Sequence, residues 1–139
     1  MNKMATTAGQ HEALIYAMVT LSASDSEMTD RELAKIGDVV RGLPAFADFD
    51  NEQLVPTAEA CGAILQQEDG LARVLDVIGA LPERLHETAY ALAVEVAAAD
   101  LHVEQEELRF LQMLRDRLDL DKLAVAAIER SARARYRSL

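Results

Sequence analysis

Apolar residues in this chain recur at three- and four-residue intervals over long stretches, and no stretch alternates convincingly with period two. In residues 10–24, Leu14, Ile15, Met18, Val19 and Leu21 follow helical spacing and predict a first helix that stops near Asp25. Thr29-Asp30-Arg31-Glu32 then reads as a capping box, a hydroxyl residue with Glu three positions on. Leu33, Ile36, Val39, Val40 and Leu43 give the second helix one apolar stripe, and Gly42 and Pro44 end it. Asp50 can cap a third helix, with Gln53 at the matching third position, and Pro56 should bend that helix or mark its true start. Asp69-Gly70 breaks the chain before a short fourth helix carrying Leu71, Val74, Leu75, Val77 and Ile78. Pro82 suits the first position of a fifth helix that runs through Tyr90, Leu92, Val94 and Val96 to Ala99. A sixth spans residues 104–118 with Leu108, Leu111, Met113 and Leu114 inward, and Asp119 or Asp121 caps a seventh ending near Arg137. The expectation is an all-α fold of about seven helices in a compact bundle joined by short connections. Residues 1–9 lack any periodic pattern and read as a flexible terminus ahead of one helical domain, 10–139.

Sliding the chain on itself by 75 residues exposes an internal correspondence. Asp25 falls on Asp100, Met28 on Val103, Glu32 on Glu107 and Leu33 on Leu108; Ile36, Val39 and Leu43 fall on Leu111, Leu114 and Leu118. Two amphipathic helices can match apolar positions by chance. They less readily match an Asp and a Glu seven residues apart in the same register. Helices 1–2 and 5–6 are therefore expected to form equivalent hairpins about a pseudo-twofold axis.

Composition narrows the function classes. The chain has 139 residues, enough for one domain with a real core and no staples. Its 24 acidic and 14 basic side chains leave a formal charge of −10, a field that repels phosphate backbones and argues against nucleic-acid binding. Cys61 is the single cysteine, so no intrachain disulfide forms and a reducing compartment fits. The first ten residues carry no signal-like apolar region, and no apolar run approaches the ~18–20 residues a bilayer needs. The chain reads as cytoplasmic and not transmembrane. It contains no GxGxxG, P-loop, HExxH or GxSxG motif, so no enzyme is expected.

The two repeat turns read A-S-D-S-E-M-T-D-R-E-L at residues 23–33 and A-A-D-L-H-V-E-Q-E-E-L at 98–108. An Ala-rich helix ends in Asp, a short turn follows, and an acidic helix start leads into Glu-Leu. This pattern resembles the repeat of the tellurite-resistance TerB family, over nearly the whole chain; the family often has Gly after the Asp, where Ser26 and Leu101 stand here. The resemblance implies a role in tellurite or metal-stress resistance, with divalent cations held by acidic turns. The matching positions are Asp25, Glu32, Asp100 and Glu107, with Glu27 and His102 as less secure neighbours. Carboxylates suit Ca2+ or Mg2+, and His102 would suit zinc or manganese.

The residues themselves leave two readings open. Glu32 after Thr29 is an ordinary capping arrangement, and Glu104, Glu106 and Glu107 also suit a helix N-terminus without any metal. Asp25 and Asp100 sit instead at helix C-termini, where the dipole disfavours negative charge by ~0.3–1 kcal/mol. Either a cation or the next helix's N–H groups would compensate them. The loops are not EF-hands: counted from Asp25, Asp30 occupies the turn-glycine position and Ile36 the bidentate-Glu position. The alternative to a cation-binding protein is a helical protein-interaction module with purely structural acidic turns.

Other residues are expected to be unremarkable. His11 and His86 read as solvated, Cys61 as a buried thiol, and Met18, Met28 and Met113 as core. Glu95, inside an apolar run, reads as exposed in preference to paired with an Arg. Arg130, Arg133, Arg135 and Arg137 form a basic cluster in an acidic chain, either supporting the last helix or docking to an acidic partner or membrane surface.

Overall fold

In a computed structural model, residues 6–23, 28–100 and 103–139 are described. They form an all-α bundle: α1 (Thr7–Ser22), α2 (Asp30–Gly42), α3 (Leu54–Leu65), α4 (Gly70–Gly79), α5 (His86–Ala99), α6 (Gln105–Leu118) and α7 (Lys122–Arg135), with single 3-10 turns before α3 and α5 and after α2. No strand occurs among the described residues. None of the described helices is long and apolar enough to cross a membrane.

α1 is the axis of the bundle. It packs against α2, α3, α4, α5 and α6, and Ala13 to Leu21 is buried at nearly every position. A helix surrounded in this way has no solvent stripe, so amphipathic periodicity marks its ends poorly. It starts at Thr7, three residues before the apolar pattern does, because the Thr6 hydroxyl accepts the Gly9 N–H at 3.0 Å. α5 lies against α1 and is likewise wrapped, by α6 and α7. Tyr90, Phe110, Met18 and Ile36 are among the largest fully buried side chains, and Met28 and Met113 pack against that core.

The helix boundaries follow local chemistry. Pro56 sits in the first turn of α3, where a missing N–H costs nothing, and Asp50 caps the preceding 3-10 turn by accepting the Glu52 N–H at 3.0 Å. Pro82 precedes a 3-10 turn, so α5 proper begins at His86. Asp121 caps α7 by accepting the Ala124 N–H at 3.1 Å, whereas Asp119 closes α6 in a left-handed conformation, φ 49°. α2 and α6 start at Asp30 and Gln105, with Glu32 and Glu107 at the third position of each.

Leu108 departs from its expected inward position and is 53% exposed. The buried face of α6 is set by Glu107, Phe110, Leu111, Leu114 and Leu118, and Leu108 lies about 100° around the helix from its centre. Phe110 takes the place expected of Leu108.

Candidate functional site

Asp25, Glu27 and His102 lie outside the described residues. Glu32 is committed to a cap: its Oε1 accepts the Thr29 N–H at 2.8 Å, and the Thr29 hydroxyl accepts the Glu32 N–H at 3.1 Å. Glu107 does the same on α6, accepting the Glu104 N–H at 2.9 Å, with Glu104 as the reciprocal partner. Two acids on one helix start thus close a capping box that the dipole favours. Unlike Glu32, Glu107 is buried, at 4% exposure. Asp100 is the exposed C-cap of α5, in extended conformation, and its N–H bonds the Ala97 carbonyl at 3.2 Å. Among the described residues no three His, Cys, Asp or Glu side chains are grouped to hold a metal ion.

Three side chains read as surface residues are tied into the bundle. His11 is buried: its Nε2–H donates to the Ala45 carbonyl at 2.9 Å, and its ring meets Phe46 and Phe49 at 5.5 and 5.3 Å between centroids. The two Phe of the α2–α3 connection fold back onto α1 and cover it. His86 is half-buried, its Nε2–H donating to the Leu81 carbonyl at 2.8 Å. Glu95 is half-buried on α5 and accepts from both Arg135 and the Tyr136 hydroxyl, so the pairing with an Arg prevails over exposure. Tyr136 in turn accepts from Lys35 at 2.7 Å, which joins α2, α5 and α7 in one polar knot. A second knot joins α5, α6 and α7, where Tyr90 donates to Glu129 at 2.6 Å and accepts from Arg115 at 2.7 Å.

Between α2 and α7, over α5, lies an apolar groove of about 730 Å3. Val39 and Leu43 form one wall, Ala127, Ile128 and Ser131 the other, and Ala91 and Leu92 the floor. The knot of Glu95, Arg135, Tyr136 and Lys35 stands at one end. That volume falls within the ~300–1,000 Å3 of ordinary binding clefts. Sequence reasoning missed the groove because it is made by three helices distant in the chain. The signals nearest to it were Leu43 at the end of α2 and the small residues of α7.

Burial pushes the Cys61 thiol up to about 11 and the Tyr90 phenol up to about 12, the latter also raised by the bond to Glu129 and opposed by Arg115; Tyr16 is raised too, by burial and Glu12. Such a thiol is no nucleophile at neutral pH. Groups that hold their protons more tightly when folded contribute stability below their unfolded values, 9.0 for the thiol and 10.0 for the phenols, and lose it as pH rises through the folded ones. Thermal denaturation followed by circular dichroism is expected to show a flat melting temperature from pH 7 to about 8.5 and a steady fall above about pH 9. A melting temperature unchanged to pH 11 would contradict this.

No family model matches the chain, and neither a curated protein nor a solved structure matches it.

Proposed function

We propose that this protein is a helical protein-interaction module, and that its working surface is the α2–α5–α7 groove, which receives the apolar face of a partner helix. The groove itself carries this reading: it has an apolar floor and walls, and Gly42, Ala91, Ala127 and Ser131 let another backbone approach closely. Thr88 to Glu95 along its floor spans about 10 Å, room for about two helical turns. Burying three apolar side chains there is worth ~1.5–3 kcal/mol each before the cost of association, which points to weak binding. The capping boxes at Glu32 and Glu107 support the same reading, since each acid already has a structural partner.

The rival is the one the TerB resemblance implies: a tellurite or metal-stress protein holding a divalent cation at Asp25, Glu32, Asp100 and Glu107. The two make opposite predictions. A synthetic helical peptide with one Leu/Ala face and Gln elsewhere is expected to bind in calorimetry. Ala127→Asp, on the exposed wall, is expected to weaken it about tenfold by setting a carboxylate against the peptide's apolar face. Millimolar Ca2+, Mg2+, Mn2+ or Zn2+ is expected to leave the melting temperature unmoved. A metal-dependent rise, abolished by Asp100→Asn, would establish the rival instead, because a ligand of the native state alone stabilises it.

A further inference from the structure

We infer that the helix received by this groove is acidic along its flanks, an inference that rests on the interaction reading above. Charge is strongly segregated in the chain. Residues 122–139 carry Lys122, Arg130, Arg133, Arg135 and Arg137 against Glu129 alone, while nearly all the acids lie in the first 121 residues. The last helix is therefore a basic strip on an acidic body. Arg135 is bound by Glu95 and Glu129 by Tyr90 and Arg115, so the knots neutralise the inner side of α7. Arg130 and Arg133 remain exposed, with no hydrogen bond or ion pair among the described residues.

Helical geometry places Arg130 at the rim. Ala127, Ile128 and Ser131 face the groove, and Arg130 follows Ala127 about 60° further up the outer wall. On the opposite wall, Asp38 is already paired with Arg41. Arg31 lies close to Asp38 around α2, two turns nearer the N-terminus, and is exposed and likewise unpaired among the described residues. One free guanidinium thus stands on the α7 rim and another one turn beyond the closed end, where Lys35 adds positive charge. A helix lying in the groove turns its sides toward both rims. Carboxylates there complete the charge pattern, and lysines there meet Arg31 and Arg130. The chain's net charge of −10 repels such a helix from a distance, but screening confines that field to ~8 Å at physiological salt, so the nearer arginines dominate.

Three peptides with one shared Leu/Ala face and Glu, Gln or Lys flanks test this by calorimetry. The Glu peptide is expected to bind about tenfold more tightly than the Gln peptide, and the Lys peptide more weakly than either. In the double variant Arg31→Glu/Arg130→Glu the order is expected to reverse, and in about 0.5 M salt the three are expected to converge. Both positions are exposed, and circular dichroism on the variant establishes that the fold is kept. Equal binding of the three peptides, tighter binding of the Lys peptide, or an order unmoved by the double variant overturns the inference and leaves the groove standing. Failure of all three to bind overturns the interaction reading itself.

Discussion

Replacing Gly70 by alanine is expected to cost about 3 kcal/mol, the upper end of what overpacking does, because the obstacle is backbone. A Cβ at this buried position would stand 2.2 Å from the Ile64 carbonyl oxygen and 2.8 Å from the Leu65 Cα. Neither can move without opening the turn between α3 and α4. The preceding residue offers no slack, since Asp69 is already held at φ 60°. Gly79 supplies the control at the other end of α4. The nearest atoms to a Cβ there belong to the guanidinium of Arg117, which can swing away and whose partner Asp76 is exposed. Gly79→Ala is therefore expected to change stability by less than about 1 kcal/mol. Urea denaturation of both variants measures the contrast; equal effects would mean that the α3–α4 turn is not closed as described.

Tyr90→Ala is expected to be of similar or larger size, about 3–5 kcal/mol, from the cavity left by a fully buried aromatic. Its hydroxyl also sits between Glu129 and Arg115, which face each other at 3.4 Å. Tyr90→Phe keeps the ring and removes only the hydroxyl, and is expected to cost about 1–2 kcal/mol. The difference between the two changes separates packing from the knot. Because the hydroxyl ties α7 to α5 and α6, Tyr90→Phe is also expected to speed amide exchange in α7 ahead of α1. Uniform acceleration throughout the bundle would show that α7 is not anchored there.

Much of the fold was legible because its signals are local. The Thr29–Glu32 box, the Asp121 cap and the break at Gly70 each depend on residues within four positions, and helix starts followed from them. The misreadings share a physical origin in long-range packing. His11 looks like a surface residue by type, yet α1 is the central helix and Phe46 and Phe49 return to cover it. Glu95 sat in an apolar run with its partners Arg135 and Tyr136 about 40 residues away. Leu108 and Phe110 differ only in which side of α6 meets the core, a choice made by α1, α4 and α5 and not by α6 itself. The acidic residues were conspicuous in the sequence, but their spacing serves caps and ligands equally, so capping by Glu32 and Glu107 was one of two readings that the residues left open. The groove carried no sequence signature, since no single segment contains it.

The central claim, that the groove is the working surface, is tested most directly by amide chemical-shift mapping with the Gln-flanked peptide. Perturbations are expected to gather on Val39, Leu43, Ala91, Glu95, Ala127 and Ser131, with residues 103–107 unmoved. Shifts centred away from α2, α5 and α7 would contradict it, as would shifts at residues 28–33 and 100–107 on adding Ca2+ or Mg2+ while the peptide leaves the groove untouched.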